Sequence, residues 1–198
     1  IMIINKISIN SFSLPFKSKY SNFKSFFMER QGWIIRIYSG DMIGIGEASP
    51  LINFSDEGYE QAGYGLEGFK LAISINEELE LDELLSYCDA HGELQPSVKF
   101  ALETAVYDLE SKISSKPLNI FLNKNAQNVV PINYIEDNSC PSISKFCKKI
   151  KVGHRNIFDE IEYIESIVKE NEGIKLRLDF NESYDLPRAI RFCKMLEN

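Results

Sequence analysis

Between Ile174 and Asn181 the chain reads Ile-Lys-Leu-Arg-Leu-Asp-Phe-Asn, with apolar residues alternating with Lys175, Arg177, Asp179 and Asn181. A strand has a side-chain period of two, so the four polar groups share one face. An ordinary barrel strand fills its inner face with Val, Ile or Leu. A polar inner face that ends in a carboxylate is instead a place to hold a metal, and Asp179 is the candidate ligand. A half-exposed edge strand with a solvated face would show the same alternation.

The segment from Lys148 to Gly153 repeats the pattern, with Lys149 and Lys151 on one side and Ile150 and Val152 on the other. Two ammonium groups that close disfavour each other's charge, and partial burial disfavours it further. A lysine in that setting can act as a general base near neutral pH. An isolated Lys-x-Lys would equally suit a solvated basic patch, so the motif takes its weight from its neighbours.

The elements that must position these residues can be read from periodicity. Residues 3–10, 33–38 and 42–47 read as strands, the last two joined by the turn Ser39-Gly40-Asp41. Lys17 to Ser25 is polar and without period, which predicts a mobile loop. From Asp56 the period becomes helical. It is clearest over 97–113, where Val98, Ala101, Leu102, Ala105, Val106, Leu109 and Ile113 line one face and Pro96 stands at the start. Strands followed by helices predict an α+β domain over 1–125.

After residue 125 strands and helices alternate. The pattern predicts strands at 129–135, 149–152 and 174–180, and helices at 141–147, 156–170 and 187–196. Asn156 is placed to cap the second helix, Gly173 to end it, and Ile157, Ile161, Ile164 and Val168 to form its buried side. Three βα units over 126–198 signal a parallel sheet or the opening of a (β/α)8 barrel that this chain leaves incomplete.

Composition narrows the function classes. The formal charge of −7 comes from acidic residues spread along all 198 positions, with no basic stripe, so nucleic acid is not an expected partner. No apolar run approaches ~20 residues, so no membrane span is expected. The N-terminus lacks the pattern of a signal peptide. Cys88, Cys140, Cys147 and Cys193 form no Cys-x-x-Cys pair, which suits reduced thiols in a cytoplasmic protein.

Lys149-Ile150-Lys151 and Asp179-Phe180-Asn181, in that order on consecutive βα strands, resemble the enolase superfamily. Its members have an α+β capping domain, then a barrel with Lys-x-Lys ending the second strand and Asp-x-Asn the third. Ala101-Leu102-Glu103-Thr104-Ala105-Val106-Tyr107-Asp108-Leu109 is similar to a helix shared across that superfamily. Gly44-Ile45-Gly46-Glu47-Ala48-Ser49-Pro50-Leu51 with Phe54-Ser55-Asp56-Glu57 resembles the corresponding loop of the o-succinylbenzoate synthases. Where many relatives carry Ser-Arg-Gly in the first loop, this chain has Phe23-Lys24-Ser25.

The resemblance implies a fold and a chemistry. The fold is an enolase-like capping domain followed by the first three βα units of a (β/α)8 barrel. The chemistry is removal of the proton α to a carboxylate and loss of water through a Mg-stabilised enediolate, with Mn2+ as an alternative ion, in menaquinone biosynthesis. Lys151 would be the base and the acid of a same-face elimination. Lys149 would hold the substrate carboxylate, Asp179 would be the first of three metal ligands, and Asn181 would support that shell. Lys24, Ser49, Phe54 and Ser55 would lie on loops that close over a small-molecule carboxylate. The resemblance also implies a longer gene product, with a Glu, an Asp and a second Lys on later strands. N-acylamino-acid racemisation or dipeptide epimerisation shares the first half-reaction and stays open, as does a non-catalytic fragment.

Overall fold

The computed structural model describes residues 1–21, 26–130, 134–135 and 147–197, with 17–21, 26–27 and 134–135 described as backbone. The chain divides into two compact units, Ile1–Ala126 and Gln127–Asn198.

In the first unit, β1 (Met2–Ile3) leads into a three-stranded antiparallel meander of β2 (Lys6–Ser21), β3 (Phe26–Ser39) and β4 (Met42–Ala48). Ile7 pairs with Ile37 and Ile9 with Ile35, so the apolar half of the alternation lies on one face. The β3–β4 turn uses Gly40 at φ 55°, a conformation that costs glycine little. Helices α1 (Tyr59–Ala72), α2 (Leu81–Gly92), α3 (Pro96–Ile113) and α4 (Leu118–Leu122) follow, with β5 (Glu78–Leu79) returning to pair with β1. Ile35, Ile37, Leu66, Phe69, Leu84, Leu102 and Val106 are fully buried between sheet and helices.

Two expectations need correction here. Lys17 to Ser21 are strand and not loop: after an irregularity between Pro15 and Tyr20, pairing resumes with Tyr20 opposite Phe27 and Ser21 opposite Phe26. Backbone hydrogen bonding extends the hairpin where side chains carry no period, and Pro15, lacking an N–H, sits where the ladder slips. Residues 22–25, with Lys24, lie outside the described residues. On α3 the apolar buried row runs from Val98 to Leu109, Ser111 is buried beyond it, and Ile113 in the last turn is exposed.

The tightest contact of this unit is between β4 and α3. Gly44, Gly46 and Ala48 are the inward residues of β4, whereas Ile45 faces out. A Cβ on Gly46 would lie 1.9 Å from the Ala101 carbonyl oxygen, and one on Gly44 2.0 Å from that of Ala105. The free edge of β4 is also covered, because Asp108 accepts the Ile45 N–H (2.9 Å) and Lys112 donates to the Ile43 carbonyl (2.7 Å). Gly46→Val is therefore expected to destabilise the unit by about 3 kcal/mol, the upper part of the range for overpacking, because the obstacle is helix backbone and cannot rotate away. Urea unfolding of the variant against the parent measures this, and an unchanged midpoint would contradict the packing.

In the second unit three parallel strands lie in the order β6 (Tyr134–Ile135), β7 (Cys147–Lys151) and β8 (Lys175–Asp179). Helix α5 (Ile157–Glu170) connects β7 to β8, and α6 (Leu186–Leu196) follows β8. Asn156 caps α5 by accepting the N–H groups of Phe158 (2.9 Å) and Asp159 (3.1 Å), and Asp185 caps α6 through Arg188 (2.9 Å). Ile150, Val152, Ile161, Ile164, Ile167 and Phe192 form the core, with Leu176, Leu178 and Phe180 against it.

Of the expected strand 129–135, residues 134–135 are strand, Val129 and Val130 are exposed and irregular, and 131–133 lie outside the described residues. The expected helix 141–147 lies outside them up to 146, and Cys147 instead opens β7. On α5 Ile167 is buried and Val168 is exposed, because the buried row continues from Ile164 by a step of three and not four.

Candidate functional site

The polar residues of interest sit at the ends of β7 and β8. Ile150 and Val152 are buried against α5 and α6, so the alternation turns Lys149 and Lys151 to the opposite face. On β8, Leu176 and Leu178 pack on the same core and leave Lys175, Arg177 and Asp179 on that opposite face. The parallel register sets Lys149 level with Arg177 and Lys151 level with Asp179.

Lys149 Nζ lies 2.7 Å from Asp179 Oδ2, and the other carboxylate oxygen accepts the Asn181 N–H at 3.1 Å. The Lys149 hydrogen bond is the main cause holding the Asp179 carboxyl below its usual range. Burial opposes it, and the Asn181 N–H and the charges of Lys149 and Lys151 reinforce it. Asp179 is thus ionised at neutral pH and already has the Lys149 ammonium on Oδ2.

Asn181 departs from expectation. The strand ends at Asp179, and Asn181 adopts φ 44°, so it leaves the period-two face and contributes a backbone N–H to Asp179. Asparagine tolerates this left-handed conformation better than most residues, which suits an Asp-x-Asn turn.

Among the described residues no group of three or more His, Cys, Asp or Glu side chains could hold a metal. The donor chemistry nonetheless fits a hard divalent cation at one ligand: an ionised carboxylate, at a strand end, that already attracts an ammonium group. Asp179 would be that ligand.

Behind these strand ends lies a contact that strand periodicity does not reveal. Glu160 is only 3% exposed, and its Oε1 accepts the N–H groups of Gly153 (2.7 Å), His154 (2.9 Å) and Arg155 (3.2 Å). Its Oε2 accepts the Tyr184 hydroxyl at 2.8 Å. Burial alone would raise its pKa, but the hydrogen bonds from Tyr184 and the backbone outweigh burial and hold it below the ordinary value. In sequence Glu160 shows only as one of two acids suiting the α5 N-terminus. The signal that could have found it is a glycine at a strand end followed by an acid in the first turn of the next helix.

The sign of the pH effect follows. A carboxyl whose folded pKa is depressed adds stability that is complete above its unfolded value, about 4.3 for glutamate, and is lost as pH falls through the folded pKa. Acid destabilisation is therefore expected below about pH 4.3, and Glu160→Gln is expected to lose less over the same interval. Denaturant midpoints at pH 7 and near pH 3 for both proteins measure it, and parallel losses would contradict it.

The candidate loop residues belong to the first unit. Ser49 Oγ donates to Glu47 (2.5 Å) and its carbonyl accepts from Arg30 (2.5 Å), while Ser55 Oγ accepts the Leu51 N–H (2.9 Å). Both serines thus build the turn. Phe54, at the loop tip, is 78% exposed.

The comparisons with known proteins agree with this architecture. Residues 4–109 match the family model described as MenC, N-terminal domain. The o-succinylbenzoate synthase of Aliivibrio fischeri is 26% identical over 192 residues, covering 95% of this chain and 54% of that protein. The chain spans about half the length of the curated relatives it matches. The L-Ala-D/L-Glu epimerase of Bacillus subtilis, in a substrate-liganded complex, superposes with a TM-score of 0.83 at 22% identity, over 99% of this chain and 58% of that one. A dipeptide epimerase of Methylococcus capsulatus, complexed with Mg and L-Arg-D-Lys, gives 0.81 at 21% identity, over 99% and 60%. No helix among the described residues is long and apolar enough to cross a membrane. With more than half of its length matched by that model, the chain belongs to the MenC N-terminal domain family, and it shares the fold of these epimerases over the matched residues.

Proposed function

We propose that the chain is part of an o-succinylbenzoate synthase, a dehydratase that removes a proton α to a carboxylate and expels water. The first unit would be its capping domain. The second would supply the first three βα units of a (β/α)8 barrel that later residues close. The observation that carries the reading is the Lys149–Asp179 pair at 2.7 Å, with Lys151 level with Asp179 on the neighbouring strand. An amine base and a metal-ligating carboxylate facing one space is what this chemistry needs.

When bound through Asp179, Mg2+ would supply fixed positive charge where negative charge develops on the substrate carboxylate. Lys151, on the same face, would take the α-proton and return it to the departing hydroxyl. Lys149 would orient the substrate carboxylate, its ammonium kept in place by Asp179 until substrate arrives.

A second reading is epimerisation of a dipeptide or racemisation of an N-acylamino acid, favoured by the likeness to dipeptide epimerases. The two separate by assay of the full-length protein with Mg2+. Conversion of the cyclohexadiene carboxylate precursor to o-succinylbenzoate, at a kcat/KM well above that for racemisation of an N-succinylamino acid, supports dehydration. The reverse ratio transfers the protein to the second reading.

A further inference from the structure

Lys151 and Asp179 end two strands joined by the parallel ladder and by the Lys149–Asp179 ion pair, and the segments that leave those ends need ties of their own. We propose that Glu160 is the positioning residue of this site, its buried carboxylate tying the segment after Lys151 to the segment after Asp179. The proposal rests on the function assigned above and deepens it.

The geometry has three parts. Successive N–H groups of Gly153, His154 and Arg155 converge on Glu160 Oε1, forming a concave backbone cradle of the kind that binds anions. Here the anion is supplied from within, by the fourth residue of α5. Gly153 makes the cradle possible at φ 98°, where a side chain would be strained, and a Cβ there would lie 1.8 Å from Ser183 Oγ. The cradle begins two residues after Lys151.

The second part is the link across. Glu160 Oε2 accepts the Tyr184 hydroxyl at 2.8 Å, and Tyr184 lies in the segment between β8 and α6. Its ring packs on Phe180 (5.1 Å) and Phe192 (5.7 Å), with the Arg188 guanidinium 4.2 Å from its centre. Ser183 adds a second tie by donating to the Phe180 carbonyl (2.5 Å) and standing 3.3 Å from that of Val152. Val152 in turn donates its N–H to the Asp179 carbonyl at 3.0 Å.

The third part is isolation. Glu160 is buried on the core side of the sheet, among residues that support the strand ends, while Lys149 and Asp179 meet on the other face. It acts on the chemistry only through the backbone it holds. Partners that orient groups at a metal or reacting centre typically change affinity or rate by about 10–100-fold when removed.

The test uses the full-length protein, its Glu160→Gln variant and, as a milder change that keeps the cradle, Tyr184→Phe. In the metal-free proteins, amide hydrogen exchange at 153–155 is expected to be slow in the parent and much faster in Glu160→Gln. With Mg2+ and substrate, kcat is expected to fall by about 10–100-fold in Glu160→Gln and by less in Tyr184→Phe, with KM near the parental value. The dissociation constant of Mn2+, read by electron paramagnetic resonance, is expected to rise in the same order. Unprotected amides at 153–155 in the parent would overturn the proposal. So would faster exchange in folded Glu160→Gln with kcat and Mn2+ affinity unchanged. A parent that performs neither dehydration nor epimerisation would refute the assigned function, while exchange and Mn2+ binding would still decide the positioning role.

Discussion

Replacing Lys151 by methionine in the full-length protein is expected to lower kcat for the elimination by about 10²–10⁴-fold, the span that a positioned general base contributes. Methionine keeps much of the side chain's length and apolar surface, so Ile150 and Val152 keep their packing and the fold should survive. The loss should fall on kcat more than on KM, because proton transfer is felt only in the transition state. Exchange of the substrate α-proton with deuterated solvent should vanish in parallel. Retention of parental turnover in Lys151→Met would remove the residue from the mechanism.

Asp179→Asn is expected to be comparably severe for a different reason. The carboxamide cannot offer Mg2+ a full negative charge, and charge stabilisation of several kcal/mol corresponds to roughly 10³-fold or more in rate. The competing explanation, loss of the Lys149 ion pair and hence of stability, is far too small. Both side chains are partly exposed, at 37% and 25%, and such pairs contribute at most about 1 kcal/mol. Mg2+ titration of activity separates the two: the variant should melt near the parent yet need much more Mg2+. A variant with parental metal dependence would sink Asp179 as a ligand.

The strand ends were legible because period-two alternation binds chemistry to geometry. Once Ile150 and Val152 are buried and Leu176 and Leu178 pack against that core, Lys149, Lys151 and Asp179 must emerge on the other side. Their closeness follows from pattern and parallel pairing, whereas their roles belong to the proposal above. Asn181 was misplaced because periodicity cannot say where a strand ends, and its left-handed φ breaks the register two residues beyond Asp179. Glu160 escaped because a buried acid reads, in one dimension, like any acid that favours a helix N-terminus. In β4, hydropathy would put Ile45 inside, but the helix lies so near that only the Gly44 and Gly46 side of the strand fits against it. The strand character of Lys17 to Ser21 likewise comes from ladder bonds that no side-chain pattern announces.

That close seat of α3 on β4 bears on how the turn after Ala48 can behave. Upstream, the segment departs from a strand pressed onto the helix at Ala101 and Ala105. Downstream, buried Glu57 takes the Ser97 N–H at 2.6 Å, at the beginning of the same helix. The segment from Ser49 to Asp56 is therefore slung like a handle between two posts on one beam. Its span is preset, and rearrangement of Phe54 reduces to torsions inside the handle, leaving the sheet behind it at rest.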